Sequence, residues 1–228
     1  MVGSLAPRLC FGTPVWWWLK AVDSQEMSRL DVEGIRFLDK GPIDLTVESG
    51  ECVALMGASG AGKTLLLRAI ADLDLHDGVA CLDGREAESM PAPVWRRIVG
   101  LLPPESEWWA DDVGAHFPSS FESAADLDAL GLDLEIMRFR VARLSTGERQ
   151  RLALLRLLAN QPRALLLDEP TASLDADNAE RVERRVAVYR RKSEAAVLWV
   201  SHDREQARRI ASRGFELQGG RLQSLSGP

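Results

Sequence analysis

Eight residues constrain this chain more than any others: Gly57-Ala58-Ser59-Gly60-Ala61-Gly62-Lys63-Thr64. An apolar run, Cys52-Val53-Ala54-Leu55-Met56, precedes them, and Leu65-Leu66-Leu67-Arg68-Ala69-Ile70-Ala71 follows with helical character. G-x-x-x-x-G-K-[ST] between a strand and a helix is the context of a P-loop. The glycines let the backbone curl so that its N–H groups point at phosphate oxygens. The N-terminus of the following helix adds partial positive charge at the same place. Lys63 can then reach β- and γ-phosphates, and the Thr64 hydroxyl can ligate Mg²⁺. The plainer reading is a glycine-rich turn between a buried strand and a helix.

The rest of the chain alternates strands with helices. Leu30 to Leu38 and Pro42 to Val47 read as strands, the second with Ile43, Leu45 and Val47 on one face. Val79 to Leu82, Ile98 to Leu102, Arg163 to Leu167 and Ala196 to Val200 read as further strands. Helical stretches are expected over 92–98, from Ser145 to Asn160, from about Asn178 to Lys192, and over 204–211. Phe215-Glu216-Leu217 and Arg221-Leu222 flank Gly219-Gly220 as a hairpin. Between Pro104 and Arg143 the character turns acidic and helix-compatible, the mark of a helical subdomain inserted between strands. This pattern implies an α/β fold with a mostly parallel sheet. Its 228 residues suit one domain, or one domain with a subdomain.

Composition narrows the function classes. A net charge of −6 offers no general attraction to nucleic acid or anionic lipid. No apolar run approaches the roughly 18–20 residues that span a bilayer. Cys10, Cys52 and Cys81 are far apart without metal-ligand spacing, and Cys52 and Cys81 sit in strand-like runs expected in the core. Residues 1–28 read as an N-terminal extension, either disordered or upstream of a more natural start near Met27. Its Val15-Trp16-Trp17-Trp18-Leu19 is too short for a signal core and could instead meet a membrane surface or a partner.

Three more stretches carry chemistry. Leu165-Leu166-Leu167-Asp168-Glu169 is an apolar strand ending in two carboxylates. Beside a P-loop such an aspartate holds Mg²⁺, and the adjacent glutamate can polarise an attacking water as general base. Alone, the pair is equally an acidic turn. His202 follows the strand that ends at Ser201, where it can sense a γ-phosphate or simply lie in a surface turn; His76 and His116 have no such context. Leu144-Ser145-Thr146-Gly147-Glu148 opens a helix with a capping box, Ser145 to Glu148. A helix N-terminus of this kind is also an anion site, and the two readings coexist.

In order and spacing these motifs resemble the nucleotide-binding subunit of an ABC transporter, over about residues 29–225. The P-loop lies at 57–64, the signature at 144–148, the Walker B strand at 164–169, a D-loop at Ser173-Leu174-Asp175, and a switch histidine at His202. The resemblance implies a P-loop ATPase cassette in which a mostly parallel core carries an antiparallel β subdomain and a helical subdomain at about 104–143. It implies two subunits stacked head to tail around two ATPs, with Ser145 and Gly147 of one touching the γ-phosphate held by the other. Mg²⁺ would be the metal, and a separate membrane permease the partner, with the cassette at the cytoplasmic face of the membrane. Trp108-Trp109 would then either dock the permease or form the subdomain's own aromatic core.

Departures from the family pattern bear on mechanism. The signature has Thr-Gly-Glu where Gly-Gly-Gln is usual, and Pro104 stands where the Q-loop glutamine is expected. Glu105 is next in line, but a carboxylate only accepts hydrogen bonds. Phe37 is the one candidate for a ring stacked on adenine. Ala196 to Asp203 resembles a stretch in the ATPases of Fet-type iron exporters, which suggests metal export. The alternative function is a permease-free ABC-type ATPase acting in cofactor assembly.

Overall fold

Three apolar runs form the centre of the molecule: β3 (Cys52–Met56), β7 (Ala164–Asp168) and β8 (Ala196–Val200), every residue of which is buried. The computed structural model describes residues 29–118, 121 and 124–225, so the extension and tryptophan triplet expected at 1–28 lie outside the described residues. With β6 (Val99–Leu102), β9 (Arg213–Gln218) and β10 (Arg221–Ser224), the three runs make a six-stranded sheet in the order β10-β9-β3-β8-β7-β6. All pairs are parallel except the β9–β10 hairpin. Parallel strands buried on both faces need continuous apolar sequence, which these segments have.

Side-chain alternation divides the interior in two. Val53, Leu55, Leu166, Leu198 and Val200 face one side, with α1 (Lys63–Ile70) and α2 (Ala92–Ile98). On that side also lies an antiparallel sheet, β2 (Lys40–Val47), β1 (Leu30–Phe37), β4 (Asp77–Leu82) and β5 (Arg85–Glu86), in that order. Cys52, Ala54, Leu165, Leu167, Val197 and Trp199 face the other side. Along the chain, the helices described after β6 are α3 (Ala124–Ala129), α4 (Thr146–Ala159), α5 (Ala176–Ser193) and α6 (Arg204–Ile210). The second interior joins α4 and α5 to the segment after β6. Trp95 is fully buried, and its indole N–H donates to the Ile70 carbonyl at 3.0 Å, fixing α2 on the end of α1. Truncating it to alanine would cost about 3–5 kcal/mol.

Two expectations change. The segment after Pro104 lies between strands, but its described residues hold a six-residue helix, α3, and short 3₁₀ turns over 113–116, 134–138 and 141–143. Gly114, Pro118 and Gly131 interrupt any longer helix, and local turns satisfy the backbone instead. Cys81 is only half-buried on β4, because this strand covers the core with one face. Cys52 is a core residue as expected, and burial pushes its thiol up to about 12.

Candidate active site

The site assembles because three neighbouring parallel strands, β3, β8 and β7, end at one edge of the sheet. Leu55 pairs with Val200, and Val200 with Asp168, so the turns after β3, β8 and β7 start at one level. Backbone bonds hold these turns together: Ser201 N–H donates to Leu55 O, and Glu169 N–H to Val200 O, both at 3.2 Å. Brought side by side are the P-loop, Asp168-Glu169 and His202.

Gly62 caps α1 with φ 104°, a left-handed conformation open to glycine, and no side chain caps the helix. Lys63 is buried, and its ammonium donates to the carbonyls of Gly57 at 2.9 Å and Ala58 at 3.1 Å. The loop is thus a closed ring around a cation, with the N–H groups at its helix end unclaimed by any side chain.

Asp168 is buried, and one of its carboxylate oxygens has no hydrogen-bond partner. Burial raises its pKa above the usual carboxylate range, while the Thr64 hydroxyl and the Lys63 charge pull it back. A buried carboxylate oxygen without a partner, beside a hydroxyl, is a hard-oxygen set that suits Mg²⁺ completed by phosphate and water. Glu169 adopts φ 48°, a left-handed conformation that is costly for a non-glycine residue and is concentrated at functional sites. Its carboxylate lies 3.3 Å from Nδ1 of the exposed His202.

Ser145 and Gly147 sit elsewhere, at the N-terminus of α4. The Ser145 hydroxyl accepts from Glu148 N–H at 3.3 Å, and the Glu148 carboxylate accepts from Ser145 N–H and from its hydroxyl, both at 2.8 Å. A Cβ on Gly147 would come within 3.1 Å of Leu174, so this position packs directly on the loop before α5. Asp175 caps α5 by accepting from Asn178 N–H at 2.9 Å.

Two features escaped sequence reasoning. Arg151, buried on α4, donates to the carbonyls of Gly147 at 3.2 Å and Leu130 at 2.6 Å and to Asn178 Oδ1 at 2.8 Å. Burial lowers its pKa. It ties the signature end of α4 to α5 and to the turn after α3; its place four residues after Gly147 was the available signal. Gln206 Nε2 donates to Thr171 Oγ1 at 2.8 Å and Glu183 Oε1 at 2.9 Å, and Gln206 Oε1 accepts from Ser201 Oγ at 2.8 Å. Arg209 completes this network on Glu183 with two bonds. The network joins the turn carrying His202 to the turn after Glu169, and no local motif announces it.

Around the Q-loop position, Pro104 and Glu105 are exposed at the mouth of a cleft of about 610 Å³ shared with Trp108, Asp111, Arg140 and Arg149. Arg156 lies over Trp108 and Trp109 at 4.7 and 4.9 Å, and His116 meets both rings edge-on. Trp108 is half-buried and Trp109 is 72% exposed, so the pair divides between core and surface. His116 is buried beneath them rather than on the surface. Phe37 is buried as well, which removes it as a ring for a base.

Fold and loop geometry together define a P-loop cassette of the ATP-binding kind. Residues 41–172 match the ABC transporter family model, and the chain belongs to that family. It is 40% identical over 185 residues to the aliphatic sulfonates import ATP-binding protein SsuB 2 of Pseudomonas savastanoi, covering 79% of this chain and 65% of that protein. It is 35% identical to the tungstate uptake system ATP-binding protein TupC of Peptoclostridium acidaminophilum, covering 80% and 89%. To the sulfate/thiosulfate import ATP-binding protein CysA 1 of Chromobacterium violaceum it is 36% identical, covering 87% and 61%. A bacterial Atm1-family ABC exporter with ATP bound shares the fold, with a TM-score of 0.76 at 21% identity over 86% of this chain and 38% of that one.

Proposed function

We propose that this chain is the Mg²⁺-dependent ATPase subunit of an ABC transporter, closing as a head-to-tail dimer on two ATPs to drive a separate membrane permease. The observation that carries this is the convergence of Lys63, Thr64, Asp168, Glu169 and His202 at one sheet edge. The N–H groups of the loop Gly57, Ala58, Ser59, Gly60, Ala61 and Gly62, with Lys63, hold the phosphates. Thr64 and Asp168 hold Mg²⁺, which when bound neutralises phosphate charge. Glu169 takes a proton from the attacking water. His202, against Glu169, holds that carboxylate in place and faces the γ-phosphate. Ser145 and Gly147 of a second subunit close the site.

The permease side of the reading rests on the 104–143 arm. Trp109 and the cleft mouth, where Glu105, Glu107 and Asp111 stand with Arg140 and Arg149, offer a docking face of mixed charge for a cytoplasmic helix of the permease. Among the described residues no helix is long and apolar enough to cross a membrane, consistent with peripheral attachment at the cytoplasmic face. Relatives of similar identity are named for sulfonates, tungstate and sulfate, so cargo choice belongs to the permease. Those relatives are named for uptake or import. Metal export has only the stretch 196–203 behind it, and its Trp199 is a core residue of β8, explained by packing alone.

The test is Glu169→Gln. Retained ATP binding, a stable ATP-bound dimer on gel filtration and turnover reduced by about 10²-fold or more are expected. Undiminished hydrolysis would refute Glu169 as base. Hydrolysis by the native chain that is indifferent to a co-expressed neighbouring membrane protein would favour the permease-free reading instead.

A further inference from the structure

On the face of the six-stranded sheet away from α1, helices α5 and α6 leave a cleft of about 260 Å³ between them. Its floor is Cys52 of β3 and Trp199 of β8, both buried, and Val186, Ala187 and Ile210 form apolar walls. Around them stand four arginines, Arg184, Arg190, Arg191 and Arg209, against two glutamates, Glu180 and Glu183. On a chain of net charge −6 this is a basic spot. Both glutamates are already claimed. Arg184 Nε donates to Glu180 Oε1 at 3.2 Å, and Arg209 donates twice to Glu183, at 2.7 and 2.8 Å. Among the described residues, neither Arg190 nor Arg191 has a carboxylate partner.

Two donors of this cleft lack an acceptor. The indole N–H of Trp199, a residue 1% exposed, and the Nε–H of Arg190 are both buried with no hydrogen-bond partner among the described residues. The Arg190 charge bears on the Cys52 thiol, but burial keeps that thiol protonated, so it supplies no anion. Buried polar groups are nearly always paired, and here what remains unpaired is donors and positive charge. The chemistry that answers it is an anionic acceptor, above all a carboxylate, which matches a guanidinium. The indole and the aliphatic walls call for an apolar body behind it. The volume equals that of about nine waters of liquid, which fits a small molecule.

One wall of the cleft reaches the turns of the candidate active site. Glu183, held by Arg209, also accepts from Gln206 Nε2 at 2.9 Å. Gln206 bonds in turn to Ser201, next to His202, and to Thr171, two residues after Glu169.

We propose that the α5–α6 cleft binds a small carboxylate with an apolar body, its charge on Arg190 and Arg209 and its body against Trp199 and Ile210, and that occupancy slows hydrolysis by drawing Arg209 from Glu183. The site stands apart from the P-loop reading above; its effect on hydrolysis rests on that reading.

The experiment is fluorine NMR of 4-fluorobenzoate titrated with the full chain. Saturable binding with a midpoint of about 1 mM or tighter is expected. Hexanoate should displace the probe, whereas inorganic phosphate, which lacks the apolar body, and hexylammonium, which has the wrong charge, should not. Arg190→Met should weaken binding about tenfold, the size of one charge-assisted contact, and Arg190→Lys should restore part of it. Ala187→Phe, which fills the cleft from its half-buried wall, should abolish binding. At saturating 4-fluorobenzoate, ATP hydrolysis by the native chain should fall about fivefold, and hydrolysis by Arg190→Met should not change. No saturable binding, displacement by inorganic phosphate as readily as by hexanoate, or unchanged affinity in Arg190→Met would overturn the site. Saturable binding that leaves hydrolysis unchanged would overturn its coupling to Glu183. A chain that binds 4-fluorobenzoate but not ATP would refute the P-loop reading and leave the site standing.

Discussion

Two helix N-termini face phosphate in the proposed mechanism, and they are built in opposite ways. The first, at Gly62, has no side-chain cap, and its first turn holds Lys63 and no acidic residue. The second, at Ser145, is closed by its own capping box, with the Glu148 carboxylate on both the Ser145 N–H and its hydroxyl. An open helix end is an anion site waiting for its ligand, and a capped one already holds an anion. The difference explains a division of labour. In the proposed mechanism the P-loop would capture nucleotide within one subunit, and the signature would share or release Glu148 when it serves a neighbour's γ-phosphate.

The comparison can be broken most sharply at the open end. Lys63→Ala should weaken ATP binding by about 10²-fold, as expected for losing a charge-assisted phosphate contact in a preorganised site. Calorimetry showing unchanged affinity would mean that the loop does not hold the phosphates. At the capped end, Ser145→Ala should destabilise the fold by about 1 kcal/mol, the usual loss of an N-cap, and reduce turnover more than ATP affinity. Equal losses in both would place Ser145 in capture and erase the distinction.

A third test uses the buried carboxylate beside the open end. Burial keeps the Asp168 proton bound to higher pH in the folded chain than in the unfolded one. Its contribution to stability is therefore present at low pH and lost as pH rises from the ordinary carboxylate range through the raised value. Without Mg²⁺ and nucleotide, Asp168→Asn should melt about 2–4 °C higher at neutral pH, with the gap closing below about pH 4. A lower melting temperature would show that the carboxylate is satisfied without metal.

The smallest effect belongs to Glu148. Bonds from the Ser145 N–H and hydroxyl hold its carboxyl below the usual range, so its stabilisation is present at neutral pH and lost as pH falls through that lowered value. Glu148→Gln should cost about 0.5 kcal/mol of stability by removing an anion from the helix end. It should also raise turnover in the dimer a few-fold. Slower turnover would mean that the carboxylate assists closure.

Much of this site was legible because its parts are local. Ser145 and Glu148 cap α4 at the spacing their chemistry requires, and the box closes as written. Gly57 to Thr64 carries its conformation in its glycines. The strand Leu165 to Asp168 ends in its carboxylate where backbone pairing ends. The described residues of the segment after Pro104 are less helical than its acidic composition implies, because composition says little where Gly114, Pro118 and Gly131 recur.

What the sequence determined by itself is the set of elements whose signals lie within a few residues: strands, caps, the P-loop and the order of the motifs. Tertiary structure alone decided which face of each buried strand meets which core, since Val53 and Ala54 are equally apolar but lie in opposite interiors. It alone joined Gln206 to Thr171 and Glu183, and Arg151 to Leu130 and Asn178. It also laid Lys40 across Gly62 and buried Phe37 beside it. The physical reason is shared. A period-two apolar strand with both faces buried has no polar side to orient it, and hydrogen bonds between distant residues leave no periodicity in sequence. Only packing the two sheets against the helices between them chooses among the faces and partners available.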